Sequence, residues 1–206
     1  SVLYFPTVHS CLSIQWIFRT FLLGLFTIIE ATYAYGQSSS AIFQHLSTNQ
    51  GLPNFYTTAT VQDKLGFIWI GTFSGLVRYD GYRLKTFTHE QGNSSSLSSN
   101  YIRTVFTTRN STIWVGTALG LNRFDSQTGQ FERFYFTKWG DLCNNIRFIA
   151  EDTQGFIWVG TSGGLFMLNP QTKQIKLLPL PTDASLKKSV YSIHHILSDG
   201  NQVWIG

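Results

Sequence analysis

From residue 41 onward the apolar positions come in short runs broken by turn residues, and no stretch carries a helical period. Residues 67–72, Phe-Ile-Trp-Ile-Gly-Thr, are almost all apolar, aromatic or β-branched, the pattern of a strand buried on both faces. Ser74-Gly75 supplies a tight turn, residues 76–79 a second strand, Asp80-Gly81 a strong hairpin signal, and residues 82–88 a third strand. A looser polar stretch ends in Ser98-Ser99-Asn100, and residues 101–107 open the next unit. The pattern then recurs. Trp69, Trp114, Trp158 and Trp204 follow one another at steps of 45, 44 and 46 residues, each inside a Trp-(Ile/Val)-Gly run. Self-similarity at this period marks a repeat architecture.

Four antiparallel strands in one period is the size of a β-propeller blade, so the predicted fold is all-β, a propeller of four-stranded blades. About three and a half blades are present, an open arc of a larger ring. A lone sheet of this kind cannot cover both faces, whereas stacked blades bury them against each other. The repeated Trp is large enough to fill the gap between blades, with its indole N–H seeking an acceptor. Gly71, Gly116 and Gly160 after the Trp, and Gly75, Gly120 and Gly164 in the turn, mark places where side chains are excluded or positive φ is needed. Asp63 and Asp152 precede the Trp strand, where a short acceptor ties down backbone amides.

These residues resemble the two-component regulator propeller repeat, which runs turn Asp, Gly-Phe/Leu-Ile-Trp-Ile/Val-Gly-Thr, Gly-Leu and Arg-Tyr/Phe-Asp/Asn. The first copy matches from Asp63 to Asp80, and the Ser98-Ser99-Asn100 and His45–Pro53 segments look like the linker and opening of that family. The second copy departs with Ser111 for the turn Gly, the third with Phe166-Met167-Leu168 for the Arg-aromatic part. The resemblance covers about residues 41–206. It implies the extracytoplasmic sensor region of a bacterial histidine kinase or hybrid two-component system. It further implies more blades, a membrane span, kinase and regulator modules, and a dimer controlled by an oligosaccharide or similar nutrient.

The N-terminal segment adds to this picture. Residues 1–36 read as a short helical signal peptide with possible upstream translation: Arg19, an apolar run at 21–29, then small residues before Gly36. That run is too short to span a bilayer, which takes about 20 residues. The propeller then occupies residues 37–206. Residues 41–46 fall in the place of a blade's third strand and form half of a ring-closing clasp whose partner lies beyond residue 206. With no Met at Ser1, the chain reads as an N-terminal fragment or an extended frame.

Composition excludes more than it assigns. The chain is 43% hydrophobic, 16% aromatic and 13% charged, with a formal charge of +4 and no basic stripe, so nucleic acid is not indicated. Of two cysteines, Cys11 lies in the signal segment and Cys143 reads as a small buried residue. Gly160-Thr161-Ser162-Gly163-Gly164 formally matches a nucleophile elbow, but a strand follows it rather than a helix. His194 and His195, read as neighbours on a strand facing opposite ways, cannot chelate together. No catalytic residues, metal site or cofactor are predicted.

Binding function belongs where repeats differ, on the loops. The turns at 73–74, 118–119 and 162–163 and the inter-blade loops at about 89–99, 137–145 and 179–189 should lie on one face. Lys138, Trp139 and Asp141 combine an unrepeated aromatic with charges, as sugar sites do, although Trp139 also reads as cover for a blade edge. Arg103 and Arg147 share one repeat position, eleven before their Trp, on the strand next to the central channel. They are candidates for an anionic or polyol ligand, or for hydrogen bonds to carbonyls. The reading is a non-catalytic sensor. The competing classes are a secreted propeller enzyme (polysaccharide lyase or quinoprotein type) and a secreted scaffold.

Overall fold

The computed structural model describes residues 46–179, 192–199 and 202–206. The signal segment and all but Leu46 of the 41–46 clasp lie outside the described residues. Blade one contains β1 (Thr57–Gln62), β2 (Ile68–Thr72), β3 (Gly75–Tyr79) and β4 (Leu84–Phe87). Blade two contains β5 (Ile102–Thr107), β6 (Ile113–Thr117), β7 (Gly120–Asp125) and β8 (Gln130–Phe134). Blade three contains β9 (Ile146–Glu151), β10 (Ile157–Thr161), β11 (Gly164–Leu168) and β12 (Ile175–Leu178), and β13 (Ile196–Asp199) pairs with β14 (Gln202–Ile205) in a fourth. Every pairing is antiparallel between consecutive strands, the up-and-down order of propeller blades.

The last strand of blade one is shorter than the predicted 82–88. The Asp80 carboxylate accepts hydrogen bonds from the amides of Tyr82 and Arg83 at 2.8 and 2.6 Å, so the hairpin loop runs to Arg83 before pairing resumes. A similar Asx arrangement at Asp125 receives the Gln127 amide and the Thr128 hydroxyl.

Blades stack as the repeated residues require. The first strands of successive blades stand side by side, β1 beside β5, β5 beside β9, and β9 beside β13. A Cβ on Gly71, Gly116 or Gly160 would lie 2.7, 2.6 or 2.6 Å from the Cγ2 of Ile102, Ile146 or Ile193 in the next blade. The three isoleucines are therefore equivalent, and the glycines set the spacing of the stack. Trp69 and Trp114 are each 1% exposed and fill the gaps on either side of blade two. Trp69 packs edge-on to Phe124, and Trp114 joins a cluster with Phe136 and Phe166 of the following unit. Trp158 is half-buried against Ile193 and Ile196, and Trp204 is 61% exposed.

The turn aspartates do what their position suggests. The Asp63 carboxylate accepts the amides of Leu65 and Phe67 on one oxygen and Trp69 Nε1 on the other, at 2.8 Å. Asp152 repeats the set with Gln154, Phe156 and Trp158 Nε1. Repeat two keeps the turn with different chemistry. Thr108 takes the aspartate's place and its hydroxyl accepts the Thr112 amide, while Ser111 holds the left-handed conformation (φ 66°) that Gly66 and Gly155 hold in the other blades.

Candidate functional site

The turns between second and third strands are built alike. Thr72, Thr117 and Thr161 each donate a hydroxyl hydrogen bond to the carbonyl of the turn glycine, at 2.8, 2.9 and 2.9 Å. Gly75, Gly120 and Gly164 take φ of 135°, 143° and 142°, which closes a turn too tight for a Cβ. The inter-blade loops return to this same end. Ala118 and Ser162 donate their amides to the carbonyls of Tyr101 and Asn145, and Gly163 lies against Cys143. The predicted clustering of turns and loops holds for the described loops; most of the 179–189 loop lies outside them.

On this end an aromatic file crosses from blade one to blade two. Tyr56 stacks on Phe73 at 5.3 Å between ring centroids, Phe73 stacks on Tyr101 at 4.3 Å, and the Arg103 guanidinium caps Tyr101 at 4.4 Å. Phe55 adjoins Tyr56 at 4.2 Å, and these two are 73% and 55% exposed. The Asn54 side chain fixes the entry, accepting the Tyr56 amide and donating to Ser74 Oγ. Sequence reasoning missed this file. Its one signal was Phe73, which stands where the other blades have Ala118 and Ser162.

The innermost strands each carry a β-bulge at one position. Pairing skips Thr58 in β1, Arg103 in β5 and Arg147 in β9. In the fourth blade the amides of His194 and His195 both donate to the Gly206 carbonyl, so the bulge falls at His194. The two histidines thus precede β13 rather than alternating along a strand, which corrects the sequence reading. His194 is exposed, and His195 packs edge-on to Phe148. Among the described residues neither Arg103 nor Arg147 donates to a carbonyl. Arg103 rests on the Tyr101 ring, and Arg147 Nε donates to Ser162 Oγ at 3.0 Å. Around these bulges Thr58 Oγ1, Arg103 Nε, Asn145 Oδ1 and Ser192 Oγ are buried without a hydrogen-bond partner among the described residues.

The loop candidates fall nearby, and no hydrogen bond joins them to the two arginines. Trp139 is half-buried and packs edge-on to Phe166 at 5.3 Å, covering the face of blade three, and the Lys138 ammonium lies over its ring. Asp141 is exposed at the start of a 3₁₀ turn (Asp141–Asn144). Cys143, in the same turn, is buried, and burial pushes its thiol above the ordinary value. Ser162 lies between two strands, the wrong setting for a nucleophile elbow. Among the described residues no three His, Cys or acidic groups come close enough to hold a metal ion, and no helix is long and apolar enough to cross a membrane.

At the opposite end an open groove of about 1210 Å³ runs between blades one and two, past Asp63, Arg78, Arg123 and Glu132. It is charged and largely self-satisfied. Glu132 bridges Arg123 and Lys173; burial works to raise its carboxyl, but the Lys173 hydrogen bond and the charges of Arg123 and Lys173 hold it below the ordinary value.

Two segments, residues 96–118 and 140–163, match the family model described as two component regulator propeller. Over 80 residues the chain is 29% identical to histidine kinase P4 of Formosa agariphila, a match spanning 37% of this chain and 6% of that protein. Among solved structures, the extracellular domain of the hybrid two component system BT4673 from B. thetaiotaomicron is 26% identical with a TM-score of 0.59. That likeness covers 73% of this chain and 20% of that one. Virginiamycin B lyase from Staphylococcus aureus is 13% identical with a TM-score of 0.51, over 75% of this chain and 64% of that one, a likeness of fold alone.

Proposed function

We propose, from the two segments that match the two-component regulator propeller model and the likeness to a two-component extracellular domain, that this chain is the ligand-sensing arc of an exported, periplasmic propeller in a two-component histidine kinase. The ligand is a carbohydrate-type nutrient, and this part of the chain is non-catalytic. In the whole protein, further blades would cover the exposed edge at Trp204, an N-terminal signal would direct export, and a membrane span would connect a dimeric sensor to the kinase.

The observation that carries the reading is the aromatic file of Tyr56, Phe73 and Tyr101 at the end where the repeats differ. Phe55 and Tyr56 leave aromatic surface exposed at the open end of the file, and such surface beside hydrogen-bonding groups suits the apolar faces and hydroxyl rims of sugar rings. The test is calorimetric titration of the intact extracytoplasmic region with an oligosaccharide panel. A bound oligosaccharide should lose about fivefold to tenfold in affinity on Tyr56→Ala, the worth of one aromatic contact. Unchanged affinity, with the variant still folded, would remove the aromatic file from the site. Turnover of the sugar by the same protein would favour the propeller-enzyme alternative.

A further inference from the structure

On the reading that this end of the propeller holds the ligand, we infer that the ligand is an anionic oligosaccharide. Its carboxylate or sulfate groups meet Arg103, Arg147 and His194 at the channel mouth. Three successive blades put a basic residue at one structural position, the bulge of the innermost strand. The equivalence of Ile102, Ile146 and Ile193, each the residue just before the bulge, fixes the alignment. Because β5, β9 and β13 stand side by side, the three basic residues lie at the start of neighbouring strands, His194 just ahead of β13. Bulges re-aim side chains, and they recur next to binding sites.

Nothing in the described chain neutralises this arc. The ion pairs there are Arg109 with Glu151, and Glu132 with Arg123 and Lys173, none at the bulges. The hairpin carboxylates Asp63, Asp80, Asp125 and Asp152 sit at the opposite end of the blades. Glu90 and Asp141 share the bulge end, but Glu90 accepts a bond from Asn93, and Asp141 is exposed and bonded to neither arginine. Like charges placed on adjacent strands without counter-charge repel, which an anionic partner would relieve.

Unmet hydrogen bonds lie at the bulges or within two residues of them. Among the described residues, Thr58 Oγ1, Arg103 Nε, Asn145 Oδ1 and Ser192 Oγ, all in the segments that open the innermost strands, are buried without a partner. They offer donors and acceptors together, as a ligand with both hydroxyl and acid groups needs. The aromatic file ends on the Arg103 guanidinium, so a sugar ring lying along it brings its substituent to a cation that can bind an oxyanion through two parallel hydrogen bonds.

The test uses the intact extracytoplasmic protein. Crystals soaked in selenate should show an anomalous peak within hydrogen-bond distance of the Arg103 or Arg147 guanidinium, and Arg103→Gln/Arg147→Gln should lose it. Selenate bound only elsewhere overturns the inference. Calorimetry with oligosaccharides matched in pairs, with and without acid groups, should give about a tenfold to hundredfold preference for the acidic member. The double variant should abolish that preference, and Arg103→Lys should restore part of it if charge matters. A neutral oligosaccharide bound equally well by wild type and double variant would overturn the anionic assignment while leaving the sensor reading in place. If no oligosaccharide binds, the sensor reading fails and the selenate peak alone decides the anion site.

Discussion

Gly116 stands where blade two meets blade three with no room for a side chain. A methyl group there would lie 2.6 Å from Ile146 Cγ2 and 2.7 Å from Thr104 Cγ2, so Gly116→Ala should destabilise by about 1–3 kcal/mol through overpacking. Denaturant unfolding measures this, and the same change at Gly66, where a Cβ meets nothing within 4 Å, should be felt through its φ of 88° alone. Ser111 presents the opposite case. It holds φ 66° and a buried hydroxyl without a partner, both of which a glycine would avoid. Ser111→Gly should therefore stabilise by about 1 kcal/mol, seen as a higher denaturation midpoint.

Strands were legible in the sequence because propeller strands buried on both faces write continuous apolar runs, and because hairpin aspartates bound them. Counting from the repeated Trp marked Gly71, Gly116 and Gly160 as positions with a backbone or steric constraint and put Arg103 and Arg147 at one repeat position. The same count hid His194, which lies ten residues before Trp204 where Arg103 lies eleven before Trp114. The cause is a hairpin one residue shorter in the fourth blade: Leu197 pairs with Trp204 as Ala150 pairs with Trp158. Trp139 carried an aromatic signal that packing on Phe166 accounts for, since one sequence position cannot reveal which face it covers. The aromatic file escaped for the converse reason. Tyr56, Phe73 and Tyr101 are far apart in the chain, and only stacking of two blades brings their rings together.

At the scale of the molecule, acid should loosen the arc. Asp80 is held below the ordinary carboxylate value by the amides of Arg83 and Tyr82, and Asp125 by the Gln127 amide and the Thr128 hydroxyl. Glu132 is lowered as well, the pull of Lys173 and Arg123 outweighing burial. Depressed folded values mean that these groups stabilise the fold fully above the ordinary carboxylate pKa of about 4 and lose that contribution as pH falls through their folded values. The melting temperature should thus be level near neutrality and fall below about pH 4, with a shallower fall for Glu132→Gln. A fall beginning near pH 6 would point to other groups.

The chain spans 20% of the length of the extracellular domain it resembles and matches 6% of the histidine kinase, and the two-component sensor reading is a proposal about the whole protein. Reading the gene beyond Gly206 tests it most directly. A two-component sensor requires further Trp-Ile-Gly-Thr repeats there, an apolar span of about 20 residues and a kinase. A frame that completes the ring and stops without a span would contradict the sensor and leave a secreted binding or enzymatic propeller in its place.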